Sequence, residues 1–158
     1  MNVEINKSIY LSEHFTLGEM CKTSAKTQDG NIPSHVQIEN LKRLCGWLEM
    51  LRSEWNKRYG EGDDPIVINS GYRSEAVNKA VGGVKGSNHL TGCAADIRVA
   101  GIEQLVRYAT ILLDISDESQ EDFDELLLER SPKGGYWLHF AVRPSDNRRK
   151  VRLIQSLR

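Results

Sequence analysis

Cysteine is scarce in this sequence and poorly spaced for any covalent framework. Three are present, Cys21, Cys45 and Cys93. An odd number at wide spacing, without a CxxC pair, points to neither a disulfide scaffold nor a thiolate zinc knuckle. They read as reduced, buried thiols. A surplus of one charge is missing as well: 21 basic residues stand against 22 acidic ones, a formal net charge of −1. That balance supplies no field for nucleic acid or an anionic membrane surface, so neither is expected as a partner. No apolar run approaches the ~20 residues that span a bilayer, so no membrane insertion is expected. The start, "MNVEINKSIYLSEHF", lacks the basic and apolar segments and the cleavage site of a secretory signal. The expectation is a protein made in the cytoplasm that reaches any external target by another route. Repeats, low-complexity tracts and long charge blocks are absent too.

What is there suits one soluble domain spanning 1–158, acting as a monomer. The chain is 39% hydrophobic and 27% charged, near the globular average, and long enough to bury a core. Ser34, preceded by Pro33 and followed three residues on by Gln37, forms a capping-box pattern. Behind it Ile38, Leu41, Leu44, Cys45, Leu48, Leu51 and Trp55 recur at steps of three and four, the stripe of a long amphipathic helix ending near Gly60. Trp47 and Trp55 read as packing groups. "IVINSGYRS" reads as a short strand, "SEAVNKAV" as a short helix, "AADIRV" as a strand and "GIEQLVRYATILLDI" as a second amphipathic helix. "ELLLE" and "YWLHFAV" form two strands joined at "RSPKGG", a hairpin turn. The basic tail 143–158, "RPSDNRRKVRLIQSLR", is expected to be peripheral. Helices before and between strands that close in a hairpin imply an α+β fold.

The chemistry concentrates in "SNHLTGCAADI". Strand alternation in "CAADIRV" places Asp96 on the face opposite Ile97, and in "YWLHFAV" places His139 beside Trp137 and Ala141. Asp96 and His139 on one face, with His89 from the preceding loop, make three ligands for a metal and leave a fourth position open, as a catalytic zinc site requires. Gly92 permits the tight turn between His89 and Asp96. Cys93 is aimed away and is expected to pack. On spacing alone, a hydrogen-bonded strand histidine at 139 with no metal explains the same residues. His35 reads as a surface residue, and His14 is assigned no place.

Position by position, "SNHLTGCAAD" resembles the SxHxxGxAxD signature of the zinc D-Ala-D-Ala carboxypeptidase family, the M15 peptidases. "INSGYRSEAVNKAVGG", "FTLGEM" and the downstream "WLH" resemble further elements of that family, so the likeness runs over about 11–142. It implies a hedgehog/DD-peptidase-like fold, a small antiparallel sheet carrying a zinc site and flanked by helices. It further implies Zn2+ held by His89, Asp96 and His139, and a peptidoglycan stem peptide as substrate. The bond cut is either D-Ala-D-Ala, in a carboxypeptidase, or L-Ala-D-Glu, in an endopeptidase. The compact chain resembles phage or prophage lysis enzymes. Many members carry an acidic base three residues before the last histidine, where this chain has Tyr136, a possible hydrogen-bond donor. Glu129 at the end of "FDELLLE" is the candidate base; Glu125 shares its face but lies further from the turn. Arg73 resembles the family's arginine that steadies the oxyanion. Ser87 either binds the substrate carboxylate or caps its loop, and Tyr72 and Asn78 are candidates for lining the cleft. The Tyr136 departure keeps open a second function, a zinc-containing cell-wall-binding domain without catalysis. A third, a structural component with incidental histidines, is separable by metal analysis.

Overall fold

Local signals account for most of the helices. In the computed structural model, which describes residues 6–157, helix α1 covers Leu17–Met20 and helix α2 covers His35–Arg58. Met1 to Ile5, the first residues of "MNVEINKSIYLSEHF" and so of the expected absence of a secretory signal, and Arg158 lie outside the described residues. The α2 capping box is complete: Ser34 Oγ accepts from the Gln37 backbone N–H at 3.3 Å, and Gln37 Oε1 accepts from the Ser34 N–H at 2.7 Å. Leu41, Leu44, Cys45, Leu48 and Leu51 on the α2 stripe are wholly buried. Helix α3 (Glu75–Ala80) is capped by Ser74 Oγ, and helix α4 (Ile102–Ser119) runs on through "SDES" before Gln120 ends it in the left-handed conformation.

Five strands are present: β1 (Ile68–Ser70), β2 (Ala94–Arg98), β3 (Glu125–Arg130) and β4 (Tyr136–Ala141) lie where the sequence places strands, and β5 (Lys150–Gln155) lies in the tail. They form one sheet in the order β1-β2-β4-β3-β5. Ala95, Ile97, Leu126, Leu138 and Phe140 share the inner face and are fully buried. They pack into a single apolar cluster with α2 and α4. Trp47 and Phe140 rings meet at 5.4 Å, and Trp55 meets Tyr108 edge-on at 5.0 Å. The opposite face, bearing Asp96 and His139, is left for chemistry.

Two expectations are corrected. The sheet is mixed, because β5 joins β3 in parallel, Glu125 facing Lys150 and Glu129 facing Ile154. The tail is therefore not peripheral. Lys150, Val151, Arg152 and Leu153 alternate charged and apolar with the two-residue period of a strand, and the backbone docks through Lys150 N–H to Asp124 O (2.9 Å) and Ser156 N–H to Arg130 O (2.8 Å). All three thiols are free and buried, as read from their spacing. No helix among the described residues is long and apolar enough to cross a membrane.

Candidate metal centre

Asp96 and His139 are direct cross-strand partners between β2 and β4. Their neighbours in the same row are Ser70 on β1 and Leu127 on β3. His89 enters from a short 3₁₀ turn (Asn88–Thr91) whose start is capped by Ser87 Oγ accepting from the His89 N–H at 3.2 Å. The turn closes on Gly92 at φ +76°, where a Cβ would stand 2.6 Å from the Gln37 carbonyl oxygen. Only glycine fits there, because both the backbone conformation and the approach of α2 exclude a side chain. Ligating atoms of His89, Asp96 and His139 consequently lie within 4.8 Å of one another.

The two imidazoles are held differently. His89 is 2% exposed, and its Nδ1 lies 2.6 Å from the Gly71 carbonyl oxygen. An oxygen that can only accept fixes the proton on Nδ1, so Nε2 carries a lone pair. That Nε2 is buried without a hydrogen-bond partner and stands 3.4 Å from Asp96 Oδ1. Burial keeps the ring neutral by pushing its pKa down. A buried nitrogen and a largely covered carboxylate oxygen thus face each other as two acceptors, an arrangement that a cation relieves. Gly71 is itself constrained, since a Cβ there would collide with the Met20 carbonyl oxygen.

His139 sits between carboxylates, with Nδ1 3.1 Å from Asp96 Oδ1 and Nε2 3.1 Å from Glu125 Oε1. Burial opposes its charge, but the hydrogen bonds to Asp96 and Glu125 outweigh burial and carry its pKa up to about 9. For Asp96 burial likewise opposes ionisation, and the two histidines win, holding the carboxyl well below the usual range. The proton on His139 Nδ1 is the group that a metal ion would have to displace. Two imidazoles and a carboxylate, one nitrogen already bare and all three side chains nearly buried, fit a divalent cation such as zinc. A second group, Glu13, His14 and Glu49, also brings two carboxylates and an imidazole together. It lies at the surface, and His14 Nδ1 is already bonded to Glu49 at 2.9 Å.

Other residues singled out from the sequence divide. Arg73 is 8% exposed and donates from Nη2 to Asp96 Oδ2 at 3.0 Å and from Nε to Ser70 Oγ at 2.9 Å. It therefore holds the ligand carboxylate, leaving Oδ1 toward the histidines. A cleft of about 500 Å³ opens over the site, lined by Arg73, Ser87, His89, Asp96, Glu129 and His139 among others. Tyr72 and Asn78 do not line it. Tyr72 packs in the core at 5% exposure. Asn78 is buried behind Arg73, its Oδ1 3.5 Å from Nη1 while Nδ2 donates to the Val84 carbonyl. Tyr136 is turned to the other face by strand parity, packs at the edge of the core and lies near Arg130, so it cannot donate into the site. Cys93 is 2% exposed and outside the ligand group.

Residues 13–115 match the family described as Peptidase M15. That stretch is more than half of the chain and contains two of the three clustered side chains, His89 and Asp96. The chain belongs to the peptidase M15 family. It is also 48% identical, over 84 residues, to a zinc D-Ala-D-Ala carboxypeptidase of Streptomyces albus G. The alignment covers 53% of this chain and 31% of that relative, so it spans less than a third of the relative's length. His139, Glu125 and Glu129 fall beyond the M15 match, and it is the β2–β4 pairing that brings His139 to Asp96.

Beneath this M15 site lies a network that no motif in the sequence marks. Asp124, fully buried, accepts from Asn88 Nδ2 at 2.8 Å and from Arg148 Nε and Nη2 at 3.0 and 2.8 Å. Arg143 Nε approaches it to 3.2 Å. Burial alone would raise the Asp124 carboxyl, but Arg148 and Asn88 hold it at about 2. An unfolded aspartate titrates near ~3.9. The folded value is the lower one, so the stabilisation is complete above about pH 4 and is lost as pH falls toward 2, amounting to about 2 kcal/mol. Asp124→Asn is therefore expected to be about 2 kcal/mol less stable at neutral pH, and its stability should fall less than the parent's between pH 4 and 2. Urea melts across that range check both.

Proposed function

We propose that this chain is a zinc-dependent peptidase acting on peptidoglycan stem peptides. The observation that carries the reading is the bare Nε2 of buried His89 facing Asp96 Oδ1, with His139 paired to the same carboxylate. Membership of the M15 family and likeness to a zinc carboxypeptidase support it. His89 through Nε2, Asp96 through Oδ1 and His139 through Nδ1 would hold the ion. When bound, zinc in such a three-ligand setting lowers the pKa of its water toward ~7 and polarises the scissile carbonyl.

The chain's own residues do the rest. Glu129 lines the cleft on the same strand face as Leu127, which pairs with His139. It is the general base in this reading, taking the proton from the attacking water and returning it to the departing amine. Glu125, the other acid on that face, has Oε1 engaged by His139 and Asn88. Arg73 fixes Asp96 and places a guanidinium at the cleft wall, where it steadies negative charge on the substrate carbonyl oxygen. Ser87 caps the His89 turn and lines the cleft, where it can also meet a substrate carboxylate.

The name of the Streptomyces relative supports removal of a terminal D-Ala over cleavage at L-Ala-D-Glu. The setting we propose is the cell wall during phage or prophage lysis; a gene lying away from any lysis or virion genes contradicts that part. Metal analysis tests the site itself. The purified protein should carry, or take up, one zinc per chain. Absence of zinc uptake at micromolar zinc would sink the reading.

A further inference from the structure

Each histidine of the site has one nitrogen toward Asp96 and one directed away, and the outer partner decides how firmly a ring is held. For His89 that partner is the Gly71 carbonyl oxygen. For His139 it is a carboxylate, Glu125 Oε1, 3.1 Å from Nε2. Glu125 is held in turn: Asn88 Nδ2 donates to the same Oε1 at 2.6 Å, and Arg148 Nη2 lies 3.7 Å from Oε2. Asn88 also donates to Asp124 Oδ2 at 2.8 Å and accepts from Arg143 Nε at 2.9 Å through its own Oδ1. A continuous path therefore runs from the arginines of the 142–149 loop through Asp124 and Asn88 to Glu125 and the ring of His139.

We propose that Glu125 is a positioning residue that orients His139 for the metal, accepting from Nε2–H and so committing Nδ1 to the ion. The inference rests on reading the site as a metal centre. Its logic is tautomeric. An imidazole binds a metal through one unprotonated nitrogen, and a carboxylate at the other nitrogen fixes which one that is and makes the ligand more basic. Asn88 directly precedes His89 in the chain, so it couples the outer partner of one ligand to the backbone of the other. Glu125 thereby differs in role from Glu129: both line the cleft, and Glu125 is the one that holds the edge of the His139 ring.

Zinc affinity measured by competition with a chromophoric chelator tests this on the intact chain, with Glu125→Ala, Glu125→Gln and the parent compared. The parent binding one zinc per chain establishes the site; if it binds none, the metal-centre reading has failed and not this inference alone. Given that binding, Glu125→Ala is expected to weaken zinc 10–100-fold, the usual effect of removing an outer carboxylate partner. Glu125→Gln, whose amide oxygen still accepts from Nε2–H, should lose less than Glu125→Ala and serves as the folded control. Histidine ¹⁵N spectra of the zinc-loaded parent should show His139 protonated at Nε2. A loss below tenfold in Glu125→Ala, or a His139 protonated at Nδ1 with zinc bound, overturns the proposal.

Discussion

Glutamine at position 129 should lower the turnover number for stem-peptide hydrolysis by about 10²–10⁴-fold, the range of a positioned general base. Zinc content should not change, because Glu129 is outside the cluster of His89, Asp96 and His139. The amide keeps the shape of the side chain and its place on the cleft wall but cannot take a proton. The Michaelis constant should therefore move little while turnover falls. Parallel zinc analysis and steady-state kinetics make the check. Full activity with zinc bound would mean that another group takes the proton, and the assignment of Glu129 would be wrong.

Asp96→Asn should have the second large effect, and through metal rather than proton transfer. Asp96 is the one carboxylate in the ligand group, and it also anchors Arg73 at 3.0 Å and His139 at 3.1 Å. The amide is nearly isosteric but neutral. A structural zinc site is worth about 10–16 kcal/mol over four ligands, so one ligand contributes roughly 2.5–4 kcal/mol, or about 10²–10³-fold in affinity. Zinc binding should weaken by about that factor and hydrolysis should vanish at stoichiometric zinc. Isothermal titration with zinc reads it directly. Unchanged zinc affinity would remove Asp96 from the ligand set.

Periodicity made much of this architecture readable. The α2 stripe and its capping box are local patterns, and the two-residue alternation in "AADIRV" and "YWLHFAV" was enough to put Asp96 and His139 on the same face. The same alternation turned Cys93 toward the interior, where it is buried. Reading failed where neighbours in sequence part in space. Tyr72 and Asn78 flank Arg73 in the chain, yet the strand-to-helix turn sends Tyr72 into the core and Asn78 behind the guanidinium. Asn88, Asp124 and the arginines at 143 and 148 form a network around the buried Asp124 that links positions 24 to 55 apart in the chain, a range over which single-chain spacing carries no signal. β5 was hidden by composition: Lys150 and Arg152 read as a solvated tail, although their alternation with Val151 and Leu153 is that of an edge strand.

One measurement reaches the central claim most directly. The zinc-loaded protein and the same protein stripped by a chelator are incubated with defined peptidoglycan stem peptides, and the products are weighed by mass spectrometry. Cleavage at a bond flanked by a D-amino acid, present with zinc, lost on stripping and restored by zinc, is the predicted result. Intact peptides in the presence of one bound zinc per chain would contradict it, leaving a metal-containing wall-binding domain in place of a peptidase.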